Sequence, residues 1–477
     1  MLRDSAIYIL SRVIPSGLGF ITGMALTWLL TPEAFGFYGL GLTIVVLVSG
    51  IFFDWHALSF MRFFQANAED PRFMPTVVQM FLLLCLASVV IVPPVLLVAA
   101  AIFGAPGNDY GWLIAVSLPG CWAYAWFELA ARVQVAQFRP TRYFWMNLIR
   151  NLLILAFGLA SAWAWHSAYP VLASAFLAML VAGLVFRIPH LSLLPRLFDK
   201  AMARRLFVFG WAMALVQTIG TLSFAADRFM LEFMIGTDAV GFYTAAYQLA
   251  QTTIATIGAG IGTATYSLAV RAVESGNPAA VKRQLSRNST LLLALLLPAS
   301  VGAAMVSPTL AKLFVGPDYV GPVASMTAWM ALAAFFYGYR VNYLDHAFQL
   351  SHQTHRLLAV VAITDVTSIL LNLVLIPQFG AVGVAMANLI SGAVGLAVAV
   401  WAARSVMAMP IAWRDAAKTA VAVLAMAAFL WPFYGRDDFW SLFAAVIGGG
   451  AVYGAVLLAL DAMDLRDIVR RRFARFS

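Results

Sequence analysis

Fourteen or so stretches of this chain run for about twenty residues with almost no charge, and short turns separate them. They fall near 7–30, 37–60, 76–103, 111–137, 143–165, 170–189, 206–235, 238–270, 285–312, 320–349, 356–376, 380–404, 415–433 and 440–461. A bilayer core about 30 Å thick takes roughly 20 apolar residues of helix, so each stretch is long enough to cross once. Soluble domains carry roughly a quarter charged residues. This chain carries 11%, with 63% hydrophobic residues and a mean hydropathy of +0.88. Long unbroken runs, no strand-like alternation, and Gly and Pro inside the runs select helices over a barrel. The expected fold is an all-α polytopic membrane protein with about 14 transmembrane helices.

Basic residues fix the orientation. The even-to-odd connections and the tail hold Arg62, Arg72, Arg139, Arg142, Arg204, Arg205, Arg271, Lys282, Arg283, Arg404, Arg414 and Arg470 to Arg472. The opposite connections hold Arg436 and Lys312, beside the acids Glu33, Asp109, Asp238, Asp318, Asp437 and Asp438. This bias predicts that both termini face the cytoplasm. The net charge of +9 then describes the inner membrane face, and anionic lipids rather than nucleic acid are its expected partner. Arg12 interrupts the first apolar run, which reads as a retained span and not a cleaved leader. Cys85 and Cys121 fall inside stretches three and four, as packing residues.

A short phrase occurs twice. Residues 33–38 read E-A-F-G-F-Y and residues 238–243 read D-A-V-G-F-Y, an offset of 205 (238 − 33). A second pair, F-G-A-P-G-N-D-Y at 103–110 and F-V-G-P-D-Y at 314–319, sits before stretches four and ten. An acid, a glycine and aromatics at a hairpin tip suit a turn between membrane helices. Paired phrases at matching places predict two six-helix lobes, 1–200 and 201–404, in pseudo-twofold relation about the membrane normal. Helices thirteen and fourteen and the basic tail, 405–477, are left over.

Three segments resemble the polysaccharide-transport branch of the multidrug/oligosaccharidyl-lipid/polysaccharide flippase superfamily. They are T-P-E-A-F-G-F-Y at 31–38, A-D-R-F-M-L-E-F-M-I-G-T-D-A-V-G-F-Y-T-A-A-Y at 226–247, and L-N-L-V-L-I-P-Q-F-G-A-V-G-V-A-M-A-N-L-I-S at 371–391. The resemblance covers nearly the whole chain. It implies a bacterial inner-membrane flippase, not an enzyme, that carries lipid-linked oligosaccharide on an undecaprenyl pyrophosphate to the outer leaflet. It also implies a polysaccharide polymerase or export machinery as partner. A cation-coupled small-molecule antiporter is the alternative on the same fold. The first stretch has no acid between Ile7 and Leu30, a departure from the drug-exporting relatives, which often place an ion-coupling carboxylate there.

Such cargo needs fixed positive charge inside the membrane, because a pyrophosphate cannot cross hydrocarbon bare. Arginines within apolar stretches are costly and so become candidates. Arg12, Arg228 and Arg340 stand out, at depths of about 6 Å from the cytoplasmic side, 10 Å from the outer side and 15 Å from the cytoplasmic side. Guanidinium forks are suited to binding phosphate oxygens in pairs. Tyr247, Gln251 and Asn342 are candidate sugar contacts, and Tyr243, Tyr266, Tyr337, Tyr339 and Tyr343 stand near them. Asp227, Glu128 and Asp345 are candidate ion-coupling acids. Structural roles compete with each of these. Arg12 has the length to snorkel to headgroups, Arg228 has Glu232 four residues on, Glu128 has Arg132 four residues on, and Arg340 has no acid at that spacing. His56, His346, His352 and His355 are expected at the wet cytoplasmic side. No spacing suggests a metal site or a cofactor.

Overall fold

The structure is a computed structural model that describes residues 2–102, 107–186, 197–351, 353–436, 438–464 and 466. Side chains are described over the same residues except 2–13, 99–102, 107–109, 212–220, 223, 354 and 464. The basic tail at Arg470 to Arg472 and the first half of the phrase at 103–110, residues 103–106, lie outside the described residues. All regular structure among the described residues is helical. The long helices are α1 (Leu2–Leu26), α2 (32–67), α3 (Phe73–Ile102), α4 (Gly107–Ala136), α5 (Pro140–Trp165), α6 (Ala168–Val185) and α7 (Lys200–Met234). They continue with α8 (Thr237–Glu274), α9 (Pro278–Met305), α10 (Pro317–Leu350), α11 (Thr354–Phe379), α12 (Ala381–Ala403), α13 (Trp413–Leu430) and α14 (Phe439–Ala459). Twelve of them are long and apolar enough to cross a membrane. The other two are α1, with the apolar run Ile14–Leu26, and α7, which is 35 residues long. The chain is a multi-pass membrane protein.

Among the described residues three helices pass through a π turn, in which hydrogen bonds close over one extra residue. These turns are Gly50–Asp54 in α2, Tyr247–Thr252 in α8 and Arg340–Leu344 in α10. The prolines at 15, 119, 298 and 377 lie inside α1, α4, α9 and α11, and the helices run on through them. Most exposed tryptophans sit near helix ends, as interfacial rings do, Trp211 and Trp329 being exposed within α7 and α10. Trp28, Trp112, Trp163, Trp165, Trp431 and Trp440 flank odd-to-even connections, while Trp145, Trp401 and Trp413 flank even-to-odd ones.

The repeated phrases open α2 and α8. Thr31 caps α2, its hydroxyl accepting from the Ala34 amide, with Pro32 at the first helical position and Glu33 in the first turn. Proline, a hydroxyl cap and an early acid are each favoured at a helix start. In the second copy Gly236, at φ +122°, turns the chain out of α7, and Asp238 takes the place of Glu33 in the first turn. The phrase glycines are crossing points. A Cβ at Gly36 would stand 2.1 Å from the Thr237 carbonyl oxygen, and one at Gly241 would stand 2.1 Å from that of Pro32. Residues 32 and 237 are one repeat apart, as are 36 and 241, so each helix presents its glycine to the same carbonyl of the other. Gly39 faces Thr244, its own counterpart. This reciprocal contact is the pattern of a two-fold axis.

Two compact units follow from the chain's own packing, Met1–Thr244 and Ala245–Ser477. In the first, α7 packs along α2, and a core forms around Phe60, Phe73, Phe127, Met146 and Leu206. In the second, α13 and α14 dock on α9 through Met426, Leu430, Leu442 and Ala445, and the Tyr453 hydroxyl donates to the Ala294 carbonyl. The histidines correct a sequence expectation. His56 and His346 are buried, because His56 Nε2 is held 3.0 Å from the Val77 carbonyl of α3 and the His346 ring is covered by Tyr266 of α8. His355 is exposed, and His352 lies outside the described residues.

Candidate functional site

Among the described residues three charged groupings emerge inside the helices, one buried and one half-buried in the first unit and one buried in the second. On α7, Phe224, Asp227 and Arg228 share one turn with Tyr243 of α8 beside them. Arg228 is 3% exposed. Its guanidinium carbon lies 3.9 Å from the Phe224 ring centre and 5.1 Å from that of Tyr243. Its Nη1 donates to the Phe224 carbonyl at 3.1 Å. The Tyr243 hydroxyl donates to Asp227 Oδ2 at 2.8 Å. A cation between two aromatic faces gains about 2 kcal/mol or more where water is excluded. The four-residue spacing from Arg228 to Glu232 does not make a pair. Glu232 Oε1 accepts instead from Tyr110 and Thr237, at 2.7 and 2.9 Å. Tyr243→Phe is expected to lower stability by about 1–3 kcal/mol, by taking a donor from a buried carboxylate. Thermal unfolding in detergent reads this loss.

Arg340 opens the π turn of α10 in the second unit and is 6% exposed. Its Nη1 donates to Thr364 Oγ1 of α11 at 2.9 Å, and its Nε stands 3.7 Å from Asp345 Oδ2. Asp345 is five residues on, and its amide donates to the Arg340 carbonyl. That is the π spacing, which brings residues i and i+5 to one side. Gly395 of α12 makes room for the group, since a Cβ there would meet Thr364 Oγ1 at 2.4 Å and Arg340 Nη1 at 3.1 Å. Among the described residues, Arg340 Nε and Asp345 Oδ1 are buried with no hydrogen-bond partner. The ion pair is therefore long and incompletely satisfied.

Other candidates of the second unit pack rather than gather around Arg340. Asn342 lies against α8, where a Cβ on Gly262 would meet its Oδ1 at 2.2 Å, and its Nδ2 donates to the Gly338 carbonyl. Tyr247 and Gln251 occupy the π turn of α8 and are partly buried. Gln251 Oε1 is buried without a partner among the described residues. Tyr339 pairs with Ser289, Tyr343 donates to the Pro410 carbonyl, and Tyr266 packs at a tilt against His346. Tyr337 keeps an exposed ring.

Glu128 belongs to neither of these groupings. It lies in a four-charge cluster of the first unit with Arg132, with Asp54 from the π turn of α2, and with Arg150 of α5. Arg150 lies over the Phe127 ring at 4.4 Å. Sequence spacing pairs Glu128 with Arg132 alone and passes over Arg150, whose partners come from other helices. An arginine inside the fifth apolar stretch was the available signal. Arg12 lies in α1, but its side chain falls outside the described residues. No group of three or more metal-ligating side chains occurs among the described residues.

A family model described as polysaccharide biosynthesis protein matches residues 1–266, more than half of the 477 residues. The chain belongs to that family. A second model, MatE, matches residues 212–374. AglR of Haloferax volcanii, described as a probable flippase, is 26% identical over 273 residues, a match covering 55% of this chain and 55% of AglR. The chain thus spans about half the length of that curated relative. The solved structure of the lipid II flippase MurJ in an inward closed conformation superposes with a TM-score of 0.77 at 14% identity, covering 98% of this chain and all of MurJ. An inward-facing multidrug resistance MATE transporter of the MOP superfamily gives 0.65 at 15% identity, covering 84% of this chain and 98% of its own. This family member therefore has the MOP superfamily fold, as the segments at 31–38, 226–247 and 371–391 imply.

Proposed function

We propose that this protein is a flippase that carries lipid-linked oligosaccharide, on an undecaprenyl pyrophosphate, from the cytoplasmic to the periplasmic leaflet of a bacterial inner membrane. The observation that carries the reading is chemical. Arg228 and Arg340 are buried guanidinium groups inside membrane helices, each with an aromatic ring against it. Fixed cations at membrane depth are costly and are retained where anionic cargo or charge movement needs them. The family assignment and the names of the matched relatives, a flippase and transporters, support transport over catalysis. Both termini are assigned to the cytoplasm by the bias of basic residues, and a polysaccharide polymerase or exporter would take the product.

In this conformation both arginines are nearly closed off from solvent. Transport by alternating access requires the lobes at 1–200 and 201–404 to rock, with 405–477 as an appendage, and the guanidinium groups to exchange their present partners for phosphate oxygens. The π turn at Arg340–Leu344 supplies a means, because converting it to α geometry rotates Arg340 by one residue's step around the helix. Arg12, Tyr247, Gln251 and Asn342 complete the proposed path, and Asp227, Asp345 and Glu128 are the proposed coupling acids.

Reconstituted vesicles test the reading. Lipid-linked oligosaccharide placed in one leaflet should become accessible to an impermeant sugar-cleaving enzyme only when the protein is present. The MatE match over 212–374 favours the antiport alternative. Cation-driven drug efflux from the same vesicles, with no exposure of sugar, would establish that alternative and refute the flippase.

A further inference from the structure

A cleft of about 560 Å³ lies between α11 and α12 at their even-to-odd ends, outside every grouping described above. Arg356 rises from the first turn of α11, and Arg404 and Ser405 follow the last turn of α12. Arg356 Nη1 donates to the Ser405 hydroxyl, which donates in turn to the Ala402 carbonyl. Neither arginine has an acidic partner among the described residues, and no acid lines the cleft. The N-terminal end of α11 adds its own partial positive charge. Below the arginines the walls are apolar, formed by Val360, Ile363 and Val398, and Trp401 stands 73% exposed at the rim.

We propose that this cleft holds the phosphate headgroup of an anionic phospholipid, with an acyl chain lying along its apolar floor. Three features select a lipid over a soluble anion or a protein. The charge is confined to one end, where guanidinium forks match phosphate oxygens. The remaining wall is hydrocarbon, with Ile363 45% exposed. An exposed tryptophan at the rim marks the level where headgroups meet acyl chains. Basic clefts between helices on the cytoplasmic side are suited to this headgroup chemistry. The inference stands whether the transported molecule is a lipid-linked sugar or a drug.

Native mass spectrometry of the full chain in detergent reads the site directly, with phosphatidylglycerol and phosphatidylcholine as probes. The parent protein should prefer phosphatidylglycerol. Arg356→Gln with Arg404→Gln should cut that affinity by roughly five-fold for each arginine. Val398→Trp, which fills the cleft and leaves both charges, should also remove the preference. Arg436→Gln, an exposed arginine on an odd-to-even connection, should leave it unchanged. Equal retention of the two lipids by the parent would overturn the proposal, as would an undiminished preference in the double variant and in Val398→Trp. Displacement of phosphatidylglycerol by an equal concentration of inorganic phosphate would also overturn it, by showing a free-anion site.

Discussion

Arg340→Ala is expected to destabilise the protein by about 3–5 kcal/mol, and adding Asp345→Ala is expected to return most of that loss without restoring transport. The first part follows from burial. Asp345 is 4% exposed, and its described charged partner is the guanidinium 3.7 Å away. Removing the arginine leaves a carboxylate uncompensated in a dry site, whereas removing both leaves an apolar one. The second part follows from the proposed role of Arg340 as a phosphate ligand, which no neutral pair can supply. Arg340→Lys separates fork from charge, because an ammonium keeps the charge and loses the paired hydrogen bonds. Unfolding in detergent and sugar exposure in vesicles, measured on the same preparations, give both answers. A stable double variant that transports at the parent rate would reduce Arg340 to a structural clamp. The same measurement on Arg228→Ala tests the other half of the idea, with Phe224 and Tyr243 still in place.

This pair also shows where sequence reading stops. The stretches were legible because twenty apolar residues have few other uses in a chain, and every one of the fourteen coincides with a long helix. The pairing of Arg340 with Asp345 was not legible, because the expected spacing for a helical ion pair is three or four residues. A π turn makes five the right spacing, and nothing in R-V-N-Y-L announces one. Partners from other helices were equally hidden. Glu232 goes to Tyr110, Arg150 and Asp54 join Glu128, and Gly395 opens space for a guanidinium two helices away. Local spacing reports only neighbours on one helix, and these sites are assembled between helices. Burial of His56 and His346 has the same origin, since a position along the chain does not tell which side of a helix end meets water.

The repeated glycines yield the other large effect. Gly36→Ala and Gly241→Ala are each expected to cost roughly 3 kcal/mol or more, at the upper end of overpacking changes, and to do so nearly equally. An alanine in a helix gains about 1 kcal/mol over glycine by propensity alone, so the sign rests on what the new methyl meets. It meets a backbone carbonyl oxygen at 2.1 Å in both cases, and a carbonyl within a helix cannot turn aside. The helices must part. Once parted for one methyl they accommodate the other, so the double variant should lose clearly less than the sum of the two. Gly39→Ala offers the contrast. Its methyl meets the Thr244 hydroxyl at 2.5 Å, a side-chain atom, so Thr244→Ala should rescue it. Thr237→Ala should not rescue Gly36→Ala, because the obstructing oxygen belongs to the backbone. Additive losses at 36 and 241, or rescue by Thr237→Ala, would mean that the two phrases do not cross reciprocally and that their likeness has another cause.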